Sequence, residues 1–94
     1  HTHVETLAQI SKKEARRYEV LKAMQAAGRI QGLRLQVGFR LKVNGVTVCF
    51  YRADFVYVRQ GRRVVEDCKG MKTRVYEMKK KLMKACHGIE IEES

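Results

Sequence analysis

Three carboxylates and one lysine carry the chemistry this sequence offers. Asp67 and Lys69 close an apolar run, Val64-Val65-Glu66-Asp67-Cys68-Lys69-Gly70. Two residues apart in an extended strand, their side chains leave the same face. Asp54 interrupts a second apolar run, Ala53-Asp54-Phe55. Carboxylates avoid strand interiors, because a buried charge without a partner is expensive. A hard divalent cation between Asp54 and Asp67 would be such a partner, since Mg²⁺ takes oxygen ligands. It could polarise a phosphoryl oxygen and generate hydroxide from bound water. Lys69 would then orient the attacking water or stabilise charge on a pentavalent phosphate. Glu14 is placed to complete the acidic cluster, directly or through a water. Blander roles stay open for each group. Asp67 and Lys69 could form a strand-end ion pair, Asp54 could bond to backbone at a bulge, and Glu14 could simply cap its helix. Glu66 falls on the opposite parity from Asp67, behind the site or on the surface.

These residues need a scaffold that converges them. Ser11-Lys12-Lys13-Glu14 has the capping-box pattern, and it predicts a helix over Lys12 to Ala27 with Gly28 as its stop. Tyr18, Leu21 and Met24 form its apolar stripe, and Glu14 lies on the same side. Alternation of Val37, Phe39, Leu41 and Val43 predicts a strand over Leu33 to Val43. Asn44-Gly45 is a type I′ hairpin signal. The return strand, Val46 to Val58, is apolar on both parities and reads as a central strand covered on both faces. Gln60-Gly61 makes the next turn, and Arg63 to Lys69 forms strand three, ended by Gly70. Counting outward from that turn sets Asp54 and Asp67 at similar heights. A second helix is predicted over Arg74 to His87, with Val75, Met78, Leu82 and Cys86 buried and Gly88 as its stop. Ile89 to Glu92 alternates as a short last strand. The order is α-β-β-β-α-β: an α/β (α+β) fold with a mixed sheet flanked by helices.

Length and composition bound the rest. The 94 residues make one domain, residues 11–94, preceded by an arm or tag remnant over residues 1–10. No apolar run approaches a membrane span of roughly 20 residues, and no signal-peptide core is present, so a soluble, cytoplasmic protein is expected. Cys49, Cys68 and Cys86 lack metal-ligand spacing and are odd in number, which argues against zinc and against a disulfide framework. A net charge of +10, from 20 basic and 10 acidic residues, points to a polyanion, nucleic acid first. Lys12, Lys13, Arg16 and Arg17 surround Glu14. Lys72 and Arg74 follow Lys69, and Lys79 and Lys80 ride the second helix. Tyr76 among these lysines could contact a sugar or phosphate. Such groups give salt-sensitive affinity with little sequence preference, although lysine-rich helix faces are commonly only solvated. No Gly-rich phosphate loop is present, since Lys69-Gly70-Met71-Lys72-Thr73 lacks the upstream glycine, and no organic cofactor is expected.

Asp54, the Asp67-Cys68-Lys69 element and Glu14 on the preceding helix resemble the PD-(D/E)XK nuclease superfamily, as does the order of elements. More closely, the chain is similar to a group of short phage and prophage proteins often described only as a domain of unknown function. Lys13-Glu14-Ala15-Arg16-Arg17-Tyr18, Ala53-Asp54-Phe55-Val56-Tyr57, Val65 to Gly70 and Lys79 to Met83 carry that likeness over about residues 11–92. The resemblance implies a restriction-endonuclease-like core and phosphodiester hydrolysis dependent on Mg²⁺ or Mn²⁺. Glu14, Asp54 and Asp67 would hold the metal, and Lys69 would be the catalytic lysine. Gln36 matches a glutamine that some members place near the site. No proline precedes Asp54, a departure at a loosely kept position. Small basic phage members are often branched-DNA nucleases, including Holliday junction resolvases, which work as homodimers in the bacterial host. A structure-selective DNA endonuclease is therefore expected. A non-catalytic nucleic-acid-binding module, or the nuclease subunit of a restriction or repair complex, is the alternative.

Overall fold

Ser11 sets the first helix in place. It is extended, and its hydroxyl accepts the Glu14 backbone N–H at 3.1 Å. The computed structural model describes residues 11–68 and 72–94. Helix α1 (Lys12–Ala26) leads into β1 (Gln31–Val43), β2 (Val46–Arg59) and β3 (Arg62–Asp67), then α2 (Arg74–His87) and β4 (Glu92–Glu93). The fold is thus α+β in the expected order, with a four-stranded mixed sheet ordered β1-β2-β3-β4. The first two pairings are antiparallel, and β4 joins β3 in parallel. Both hairpin turns use left-handed backbone at two successive residues, Asn44-Gly45 and Gln60-Gly61, which suits the twist of the strands they join. Lys69 and residues 1–10 lie outside the described residues. Among the described residues, no helix is long and apolar enough to cross a membrane.

Two apolar clusters sandwich the sheet. Leu21 and Ile30 pack with Phe55, Tyr57 and Val64 on the α1 face. Tyr76, Met83 and Ile91 pack with Val56 and Val65 on the α2 face. Phe39, Leu41, Tyr51 and Ala53 also belong to the α2 cluster, whereas Leu33 packs against the α1 cluster. All these β1 residues are odd-numbered, as are Tyr51, Ala53, Phe55 and Tyr57 on β2. Strand side chains alternate with period two, so residues of one parity serve both faces only if the pleat is broken between them. The break falls between the pairs Leu35–Phe55 and Val37–Ala53. Gln36 stands there with φ of +53°, and Asp54 stands on the partner strand.

Three expectations are corrected. The second strand is covered on both faces only along part of its length. Val46, Val48 and Phe50 are exposed, because β1 and β2 run 13 and 14 residues while β3 has 6, so the hairpin projects beyond the layer. On α2, Tyr76 and Met83 face the sheet, Leu82 and Cys86 pack partly buried beside them as expected, and Val75 and Met78 are open to solvent. The Tyr76 hydroxyl donates to Glu93 Oε2 at 2.6 Å, which fixes that rotation. Finally, the last strand is displaced towards the C-terminus: Ile91 is buried ahead of β4, and Glu92 and Glu93 make the pairing.

Candidate active site

Gln36 is where the acidic residues meet. Its Nε2 donates to Glu14 Oε2 at 3.2 Å and approaches Asp54 Oδ1 at 3.4 Å. The Cys68 backbone N–H donates to the other Asp54 oxygen, Oδ2, at 2.9 Å. Glu14 comes from the first turn of α1, Gln36 from the break in β1, and Asp54 from the matching position of β2. Glu14 and Gln36 are half-buried and Asp54 is buried. Two carboxylates held within reach of one amide nitrogen repel each other, and a cation between them would offset that repulsion. A non-glycine residue with left-handed backbone is strained, and such strain gathers at functional positions.

Asp67 takes a different direction. It is fully buried, and its Oδ2 accepts the Tyr51 hydroxyl at 2.6 Å. Burial first, and then that bond, push the Tyr51 phenol far above its ordinary range. Cys68 is the link between the two acids. Its N–H holds Asp54, and its half-buried thiol, pushed up by burial, lies 3.1 Å from Ser94 Oγ. The structure therefore joins Glu14 to Asp54 through Gln36 and ties Asp54 to the chain beside Asp67. It does not gather all three acids: among the described residues, no group of three or more His, Cys, Asp or Glu could hold a metal ion. What remains is a pair of carboxylates, Glu14 and Asp54, bridged by Gln36; Mg²⁺ commonly takes one or two carboxylates and fills its other positions with water and phosphate oxygens.

The basic residues divide into two groups. Lys12, Lys13 and Arg16 are exposed on α1 around Glu14, and Arg74 is exposed at the start of α2. Arg17, expected at a nucleic-acid surface, instead turns to Glu66. Its Nε and Nη2 donate to the two carboxylate oxygens at 2.6 and 3.0 Å. Glu66, expected behind the site or on the surface, is 1% exposed and also accepts the Tyr57 hydroxyl. Burial pushes the Glu66 carboxyl up, but the Arg17 and Tyr57 bonds outweigh it and hold the group below its usual range. Burial, and then Glu66, push Tyr57 up to about 12. Tyr76 is likewise turned inward to Glu93, which also receives Lys72 and Lys80 at 2.8 and 3.2 Å. Lys72 first, then Tyr76, hold Glu93 down to about 2. Lys79 is half-buried on α2.

A cleft of about 290 Å³ opens beside the carboxylate pair, between α1 and the β1–β2 ribbon. Tyr18, Leu35 and Phe55 supply its apolar lining, and Glu14, Glu19 and Gln36 border it. Sequence reasoning missed these apolar residues because each also suits a core stripe. It missed Tyr51 for the same reason.

A family model described as "Protein of unknown function (DUF1064)" matches residues 2–91. No curated protein and no solved structure matches the chain.

Proposed function

For this chain, which belongs to the DUF1064 family, we propose metal-dependent DNA endonuclease activity of the PD-(D/E)XK type, selective for branched DNA. The observation that carries it is the convergence of Glu14 and Asp54 on Gln36, at a break in the pleat that strains the backbone. Two like charges brought together beside a residue of strained backbone are the arrangement a cation site would use. Mg²⁺ or Mn²⁺ held by Glu14 and Asp54 would supply Lewis-acid neutralisation of charge at the phosphoryl oxygen. Gln36 orients both carboxylates, and the Cys68 N–H fixes the second oxygen of Asp54. Lys12, Lys13 and Arg16 bind flanking phosphates. Lys69 is the proposed catalytic lysine, and Asp67, whose Oδ2 accepts the Tyr51 hydroxyl, holds no metal in this reading. Cutting two strands symmetrically needs two sites related by a two-fold axis, and the exposed Val46, Val48 and Phe50 on the projecting hairpin favour a homodimer. The setting proposed is the cytoplasm of a bacterial host, in phage DNA processing.

One observation favours the non-catalytic alternative: Asp67 is held by Tyr51 on the α2 side of the sheet. Cleavage assays decide between the two. Four-way junction, fork, flap and linear duplex DNA are incubated with Mg²⁺ and wild-type protein, Asp54→Asn or Lys69→Met. Wild type is expected to cut a branched substrate, and each variant to lose about 100-fold or more in rate while still binding DNA. Binding without cleavage by wild type in both Mg²⁺ and Mn²⁺ would establish the alternative.

A further inference from the structure

We infer that the open face of the β1–β2 ribbon binds a DNA strand, with Phe50 against an unpaired base and Arg40 and Arg52 against phosphates; the inference rests on the nuclease proposal and extends its site along the sheet. One face of the ribbon is covered. Phe39, Leu41, Tyr51 and Ala53 turn to the α2 cluster, and His87 at the end of α2 donates from Nε2 to the Arg40 carbonyl at 2.9 Å. Side chains alternate along a strand, so Arg40, Phe50 and Arg52 leave the opposite face, the side on which Glu14 of α1 meets Gln36. All are exposed, Phe50 with 59% of its surface. Arg40 and Phe50 are cross-strand partners, and the guanidinium carbon lies 5.9 Å from the ring centre. Arg52 stands opposite Gly38, where an added Cβ would meet no atom within 4 Å beyond its chain neighbours, so the surface between the two arginines is open.

Charge and position commit this face to a polyanion that reaches the carboxylate pair. From Gln31 to Ala53 the chain carries Arg34, Arg40, Lys42 and Arg52 and no Asp or Glu. Among the described residues, neither Arg40 nor Arg52 forms an ion pair. Arg52 precedes Asp54 by two residues and Gly38 follows Gln36 by two, so the face begins roughly 7 Å along the strands from the acids. An accessible aromatic ring among cations is how proteins hold single strands, and contact through ring faces tolerates any base. Guanidinium planes stack on bases in the same way. A base within a duplex must be unpaired or extruded before it can stack on a side chain. Branch points and single-stranded arms present unpaired bases without that cost, which gives selectivity towards branched DNA a physical origin. Val46 and Val48, nearer the turn, remain for contact with a second copy.

The test separates base from phosphate and binding from cleavage. Short labelled oligothymidylate and an abasic oligomer of the same length are titrated with full-length protein in EDTA, with fluorescence anisotropy as the readout. Wild type is expected to bind the thymidine oligomer about tenfold more tightly than the abasic one. Phe50→Ser is expected to bring that ratio close to one, and Phe50→Trp to keep it. Gly38→Glu, which sets an acid beside Arg52 where space is open, is expected to weaken both oligomers about fivefold, and Gly38→Gln to leave them unchanged. Circular dichroism checks that each variant is folded, and sedimentation velocity gives its oligomeric state. A wild-type ratio near one overturns the inference, as does a ratio that survives Phe50→Ser or an affinity that survives Gly38→Glu. Loss of the partner subunit in Phe50→Ser with the ratio intact assigns Phe50 to the subunit contact and also overturns it. Cleavage of branched DNA with a ratio of one removes the ribbon surface alone. A high wild-type ratio that Phe50→Ser abolishes, without cleavage by wild type, removes the nuclease proposal and leaves the surface.

Discussion

Arg17 places two donor nitrogens on Glu66, a carboxylate that solvent scarcely reaches. The pair links α1 to β3, and Tyr57 from β2 closes it. Removing the guanidinium would leave a buried charge with only the Tyr57 phenol and the Ser94 hydroxyl among its described hydrogen-bond partners. Arg17→Ala is therefore expected to destabilise the fold by about 3–5 kcal/mol, measured by urea denaturation. A loss below about 1 kcal/mol would place Arg17 among the surface cations instead. The sequence put Glu66 on the correct parity, opposite Asp67, but spacing carries no signal for which of four neighbouring cations turns inward. Glu14 was legible both as a capping position and as an inward-facing acid, because an N-cap motif and a helical face are local patterns. Its meeting with Gln36 was not legible from spacing, since that depends on where the sheet breaks.

The ends of the elements were more legible than their faces. Helix α2 runs over the predicted residues, Thr73 accepts the Tyr76 N–H at 3.1 Å, and Gly88 stops it in the left-handed conformation. Caps and stops are set by a few neighbouring residues. Leu82 and Cys86 pack against the core as expected, but Tyr76 and Met83 were passed over because Lys79 and Lys80 lie between them, and their half-buried stems hide an apolar stripe behind charged heads. Met83→Ala is expected to cost about 2–5 kcal/mol, and Met78→Ala less than about 0.5 kcal/mol. Thermal denaturation of both variants checks this, and equal losses would mean that the helix is rotated otherwise. The break at Gln36 was hidden in the same way. From Leu33 to Val43 every odd residue of β1 is apolar, so the alternation reads as uninterrupted although the faces exchange halfway along.

At the scale of the molecule, a charge of +10 does not by itself define a binding face, since several cations serve the fold. Arg17, Arg59, Lys72 and Lys80 hold carboxylates on β3 and β4. Lys12 and Arg16 are exposed on the carboxylate side, along α1. Neutralising about three phosphates of a single strand would give a log–log salt slope near −2. DNA affinity in EDTA is then expected to fall roughly tenfold or more between 50 and 200 mM salt. A nearly flat dependence would exclude phosphate contact as the main source of affinity. Composition made this overall attraction legible. The sorting of structural from available cations required the positions of the acids.

Position 36 also bears on how such a chain would change by descent. Its backbone suits glycine, while its side chain is the amide that joins Glu14 to Asp54. Gln36→Gly is expected to be more stable than Gln36→Ala by about 1 kcal/mol, the reverse of their order at an ordinary strand position, as equilibrium unfolding would show. Equal stabilities would mean that the backbone there is relaxed. Drift alone would favour glycine at this position, and only selection for the amide would keep a glutamine. A lineage that had abandoned the chemistry but kept the fold would be expected to record the loss first at this residue.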